Sequence, residues 1–218
     1  MGQLFRPSSN TIAKASIFGV LALVGIGLWL PWQLFRSPYV TRVRVAIEQP
    51  IAFSHEHHVG GLGIDCRYCH TSVEQSYFAG MPATKTCMTC HSQIWNTAEM
   101  LKPVRESWRT QQAIKWEKVH NLPDYAHFNH SIHVNKGMGC STCHGQIDKM
   151  PLVWKVNTLQ MSWCIDCHKA PEKNIRPRDQ VYNMAWTTPE NQAELGAELV
   201  KKYGIKKEQL INCSVCHY

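Results

Sequence analysis

The sequence predicts a mainly α-helical protein with extensive ordered loops and little or no sheet. One N-terminal transmembrane helix leads into a domain organised by cysteine motifs. Three observations predict this. An uncharged stretch of 21 residues, "ASIFGVLALVGIGLWLPWQLF", runs from Ala15 to Phe35. The pattern C-x-x-C-H occurs five times and uses all ten cysteines. The residues around those motifs carry little hydrophobic periodicity of either the helical or the strand kind.

The apolar stretch comes first in the chain. Twenty-one uncharged residues are long enough to cross a bilayer as a helix. Trp29 and Trp32 suit the interfacial belt. A cleaved signal peptide has a shorter apolar core followed by an A-x-A-like site, and none follows here, so a retained anchor over 1–36 is expected, with 37–50 as a linker. Positive charges alone orient it poorly. Arg6 and Lys14 precede the span, while Arg36, Arg42 and Arg44 follow it.

The cysteine motifs are Cys66-x-x-Cys69-His70, Cys87-x-x-Cys90-His91, Cys140-x-x-Cys143-His144, Cys164-x-x-Cys167-His168 and Cys213-x-x-Cys216-His217. Histidine is 12 of 218 residues, so a histidine after each of five CxxC units by chance has odds of roughly one in two million. Redox dithiols or Cys₄ zinc sites explain the CxxC pairs but not the histidines. Covalent haem explains both. Two thiols three residues apart form thioethers to one haem edge, and the adjoining imidazole lies under the iron as proximal ligand. The sequence therefore predicts five covalently bound c-type haems. Haem c is attached on the outer side of the cytoplasmic membrane. The expected location is the bacterial inner membrane, single-pass and in contact with lipid, with the haem domain (51–218) on the periplasmic side.

Charge agrees with this reading. The formal net charge is +7. Five haems bring about ten propionates, which turn the holoprotein negative. No basic run with interleaved aromatics is present, so nucleic acid is not an expected partner.

The motifs begin at 66, 87, 140, 164 and 213, spaced short, long, short, long. "FSHEHHVGGLGIDCRYCH" (53–70) matches "FNHSIHVNKGMGCSTCH" (128–144) with one residue inserted. Two dihaem modules are therefore expected, at about 51–95 and 120–172, with the fifth haem at 205–218. Between them, 96–125 reads as a surface helix and then a connection near Pro123. Residues 187–204 read as another helix, capped by Thr188, with Pro189 in its first turn and Gly204 at its stop.

Five haems have ten axial positions, and the motifs supply His70, His91, His144, His168 and His217. The F-x-H-x-x-H segments ahead of two motifs resemble those of the small multihaem cytochromes of the c3 and c7 types. The resemblance implies that His55 and His130 cap the haems at 66–70 and 140–144, while His58 and His133 cap neighbours. For the fifth distal ligand, His120 is the first choice and Met161 the second. Met81, His57 and His127 follow, and His57 is expected at the surface. With enough ligands to close every iron, no catalytic site is expected on this chain alone.

The anchor, the motif order, "VHNLPDYAHFNHSIHVNKGMGCSTCHG" and "LQMSWCIDCH" together resemble the pentahaem subunit of alternative complex III, a bacterial quinol-oxidising membrane assembly. The resemblance covers essentially the whole chain. It implies an electron-transfer haem wire with an iron–sulfur subunit, polytopic quinol-site subunits and a monohaem cytochrome c as partners. It also implies a terminal oxidase or soluble cytochrome c as acceptor. Two other classes stand beside it. A single-anchor quinol dehydrogenase of the tetrahaem type carries a Met just after its first motif, where this chain reads "CRYCHTSVEQ". A pentahaem nitrite reductase carries a CxxCK motif, which this chain lacks.

Overall fold

A computed structural model describes residues 5–218. The anchor expected over 1–36 begins with four residues outside that range. Two compact units are present, one running through Val43 and the other spanning Arg44–Tyr218.

The first unit is dominated by helix α1 (Ser8–Arg36), 29 residues long. It extends a turn or two beyond the uncharged stretch at its start. None of its residues is buried, and its apolar side chains, from Ile12 to Phe35, are exposed all round. A helix that is apolar on every face is what a lipid environment accepts. Its mean hydropathy, 1.9, and its length fit a bilayer span. Arg36 closes its last turn with the guanidinium over the Trp32 ring, 5.1 Å from its centroid. A short helix, α2 (Pro38–Thr41), follows.

The second unit is built of short helices joined by ordered loops. An isolated bridge pairs Met138 with Ile175 within it. Four motifs lie on α-helices: α3 (Cys66–Cys69), α4 (Thr84–His91), α7 (Cys140–His144) and α8 (Met161–Lys169). The fifth lies on a 3₁₀ turn at Cys213–Val215. The helix geometry explains the motif. Positions i, i+3 and i+4 share one face, so both thiols and the imidazole point the same way. Each F-x-H-x-x-H segment starts a helical turn. The first enters a π turn (Glu56–Gly61) and the second enters α6 (His130–Asn135). Asn129 caps α6 by accepting from the Ile132 N–H at 3.3 Å.

The helix expected within 96–125 is α5 (Lys102–Thr110), preceded by a 3₁₀ turn at Glu99–Leu101. It turns Val104 and Ser107 inward and leaves 111–125 irregular. The helix expected over 187–204 is shorter, α9 (Gln192–Lys202), and begins after Asn191. Residues 190–191 form a turn ahead of it and Asn191 is its N-cap, so Thr188 does not cap it. Gly204 stops it in a left-handed conformation, φ 60°.

The apolar core is divided. Ile51, Leu101 and Val104 form one buried cluster. Val73, Val134 and Val181 form a second, and Ile175, Leu199 and Tyr203 a third. Motif cysteines pack against two of them, Cys87 on the first and Cys140 on the second. The apolar faces of the motif helices thus adjoin the core clusters rather than being covered by them.

Candidate functional site

The histidine tautomers carry the clearest information about the site. Nδ1 of His70 donates to Gly80 O at 2.7 Å, His91 to Ile94 O at 3.1 Å, His168 to Leu210 O at 2.9 Å and His217 to Tyr125 O at 2.7 Å. Away from the motifs, His58 donates to Ser54 O at 2.8 Å, His130 to Tyr77 O at 2.9 Å and His133 to Asn129 O at 2.7 Å. A carbonyl only accepts, so each of these rings holds its proton on Nδ1 and keeps Nε2 as a bare lone pair. That is the arrangement that orients an imidazole for a metal. The structure thereby fits iron at four of the five motifs on the residues' own hydrogen bonding.

The repeat is visible in three dimensions. Phe53 meets His55 edge-on at 4.8 Å and stacks on His58 at 4.4 Å. Phe128 meets His130 at 4.8 Å and stacks on His133 at 4.3 Å in the same way. Each phenylalanine fixes two rings in directions about a right angle apart.

The rings then pair across the fold. The metal–nitrogen bond of an imidazole is about 2 Å, so with ring radii of about 1.2 Å two trans ligands have centroids roughly 6.4 Å apart. His58 lies 6.2 Å from His91, His133 lies 6.1 Å from His168, and His130 lies 6.4 Å from His144 with rings within 12° of parallel. His120 is also against His144, but at 4.3 Å and 70°, too close for an iron between them. His120 Nε2 and His55 Nδ1 are buried atoms without a hydrogen-bond partner.

Burial sets the charge state of these rings. Desolvation, assisted by neighbouring imidazoles, lowers His144 to about 3 and His55 to about 4. Desolvation and the nearby Lys155 and His130 lower His120 to about 4. His130 and His133 are lowered for the same first reason. All are neutral at pH 7, the form in which imidazole ligates.

The other positions singled out in the sequence are less enclosed. Met161 and Met81 are exposed, Met161 at 67%. His57 is exposed and stacks on Trp95 at 5.9 Å. His127 stands at the last motif: its N–H donates to Cys216 O at 2.8 Å and its ring stacks on Tyr218 at 4.4 Å. The ring stacked beside His217 is Tyr125, at 6.1 Å.

No disulfide links any of the ten cysteines. Successive motifs are neighbours through them. Burial and then Cys87 raise the Cys69 thiol. Cys66 and Cys140 share a hydrogen bond, which is the main reason Cys66 falls to about 7 and Cys140 rises far above its ordinary value. Burial, then Cys167 and Cys164, push Cys143 up to about 12, and burial and then Cys216 raise Cys164. The attachment points therefore run in a row: 87–90, 66–69, 140–143, 164–167, 213–216. Sequence spacing does not contain that order, because it depends on contacts such as Cys66 to Cys140, made across 74 residues.

Comparison with known proteins agrees with this geometry. The chain matches the family described as cytochrome c7 and related cytochrome c over residues 51–107 and 126–218, more than half its length. It is 32% identical, over an alignment of 142 positions, to the menaquinone reductase multihaem cytochrome c subunit of Nitratidesulfovibrio vulgaris strain Hildenborough. The alignment covers 56% of this chain and 68% of that protein. With its paired histidines and helix-borne CxxCH faces, the chain belongs to the cytochrome c7 and related cytochrome c family, whose members carry covalent haem.

Proposed function

We propose that this chain is the electron-transfer haem wire of a membrane quinol-oxidising respiratory complex of the alternative complex III kind. It would carry electrons from iron–sulfur and quinol-site subunits to a periplasmic cytochrome c or a terminal oxidase. The observation that carries the reading is the row of five attachment points combined with histidines paired at trans-ligand separation. Bound c-type haem supplies one-electron transfer at its iron. The chain's residues do the rest. Cys66, Cys69, Cys87, Cys90, Cys140, Cys143, Cys164, Cys167, Cys213 and Cys216 hold five haems in sequence. His70, His91, His144, His168 and His217 ligate from below. His58, His133 and His130 would close the irons of His91, His168 and His144, and His55 would close that of His70. For the remaining iron, that of His217, His120 stays the first choice and Met161 the second: His120 is buried with an unpartnered Nε2 but stands against His144, and Met161 is exposed. Closed irons transfer electrons without binding substrate.

Helix α1 is the single membrane anchor, retained at the inner membrane with the haem domain in the periplasm. The multihaem subunit of a menaquinone reductase as relative supports a quinone-linked complex with further subunits. That relative's name also favours a second reading, in which electrons run from a periplasmic donor into the quinone pool.

The test is mild-detergent extraction of native membranes, a native gel with haem stain, and mass spectrometry of the stained band. Co-migration with an iron–sulfur subunit and polytopic subunits is expected; a band containing this chain alone refutes the complex. Adding a quinol analogue to the oxidised complex separates the directions. Reduction of the haems supports quinol oxidation. Haems that stay oxidised with quinol, yet are oxidised by quinone once reduced, support the second reading.

A further inference from the structure

Arg176 is an internal cation that nothing above uses. The residue is only 4% exposed. Its guanidinium donates to two hydroxyls, Ser141 Oγ and Thr142 Oγ1, both at 3.1 Å. It also donates to two carbonyls, Asn183 O at 3.3 Å and, at the limit of a hydrogen bond, Gln180 O at 3.5 Å. Nε is buried with no partner, and the Trp186 ring lies 5.6 Å beneath Cζ. Every one of these partners is neutral, and no carboxylate is paired with it among the described residues. Ser141 and Thr142 are the two middle residues of Cys140-x-x-Cys143-His144, so the charge is fixed on the attachment loop of the third haem.

The loop is shaped around it. Residue 139, immediately before Cys140, is glycine, and a Cβ there would lie 2.1 Å from Arg176 Cζ. The other motifs differ. Arg67, inside the first motif, is half exposed and neutralised by Asp65 at 2.9 Å and Glu74 at 3.6 Å. A buried cation whose protein partners are all neutral is costly, and its position beside the first turn of α7 opposes the helix dipole.

We propose that Arg176 sets the reduction potential of the haem carried by Cys140 and Cys143, holding it above the value the same ligands would give without the charge. Ferric iron gains one electron on reduction and loses one unit of positive charge. A fixed cation nearby repels the ferric form more than the ferrous form, and so favours the reduced state. Guanidinium suits the task because it stays protonated throughout the physiological range. With Cys66 against Cys140 and Cys164 and Cys167 beside Cys143, this haem is the middle member of the row. A raised potential there makes it the site where an electron rests at the middle of the row, with two haems on either side. This inference rests on the haem-wire reading, and its test has a separate readout.

The experiment is a potentiometric titration of the purified holoprotein, followed optically, for wild type, Arg176→Gln and Arg176→Lys. Haem content is checked as pyridine haemochrome. Arg176→Gln is expected to move one of five components to lower potential by about 59 mV, a tenfold change in its reduced-to-oxidised ratio at fixed potential. Arg176→Lys keeps the charge and is expected to retain most of the wild-type value. Because the charge is buried, the difference should persist at high salt. Full haem content with no component moved in Arg176→Gln overturns the proposal. So does an equal shift in both variants, because that outcome reports packing rather than charge. Failure of the wire reading would show differently, as a wild-type protein without five low-spin haems.

Discussion

On the five-haem reading proposed above, removing His133 isolates one iron of five. Its ring lies 6.1 Å from His168, is held by Nδ1 to Asn129 O at 2.7 Å and stacks on Phe128 at 4.3 Å. In His133→Ala the His168 haem keeps both thioethers and its proximal ligand but loses its sixth. The two other trans-spaced pairs, His58–His91 and His130–His144, serve different motifs and are untouched. The spectroscopic effect is therefore one haem in five: a fifth of the ferric signal passes from low-spin to high-spin, and a fifth of the ferrous haem binds CO. The lost ring stacking costs about 0.5–1.5 kcal/mol, too little to unfold a domain fastened by the other attachments. Low-temperature EPR and CO difference spectra measure both changes, with haem content as control. His57→Ala, at an exposed ring, should leave the spectra as they are. If His133→Ala carries all its haem and remains entirely low-spin and inert to CO, the pairing argument is wrong.

Other outcomes follow from the same geometry. His120→Ala should open one iron in five by the same assays, while Met161→Ala, removing an exposed side chain, should change nothing; the reverse pattern would give the ligand to Met161. Gly196→Ala adds about 1 kcal/mol of helix propensity to α9 but drives a Cβ to 2.0 Å from Glu172 O, so a net loss of about 1–3 kcal/mol is expected. An unchanged or raised Tm would contradict the tight seat of α9. Cys213→Ala should weaken attachment of the last haem and open the 205–218 segment to protease, and a resistant tail lacking that haem would refute the fastening.

Much of the site was legible because haem attachment is a local chemical requirement. CxxCH needs three groups on one helical face, and F-x-H-x-x-H needs two rings on one aromatic, so short patterns carry both. The early helix stop at Gly204 was equally local. The late start of α9 was not: residues 190–191 form a turn ahead of Gln192, whose side chain donates to Glu172 O and Ile175 O, each at 2.8 Å. Arg176 was invisible for a similar reason. It lies 33 positions beyond Cys143 and after the next motif, and only the folded chain lays it on Ser141 and Thr142. The order of the attachment points is likewise a property of tertiary contacts such as Cys66 to Cys140.

The three separate buried clusters bear on how the protein is made. Small islands of two or three aliphatic side chains bury too little surface to offset the ordering of long loops. Thioether formation supplies the missing apolar surface one motif at a time, and each ligand reached from a distant segment then closes a loop. Maturation and folding of this domain are on that account one process. If the haem domain lies in the periplasm as proposed, the chain is expected to stay open to the attachment machinery, and to proteases there, until its haems are in place. Pulse-labelled protein from cells starved of haem should be degraded in the periplasm rather than accumulate as a folded apoprotein.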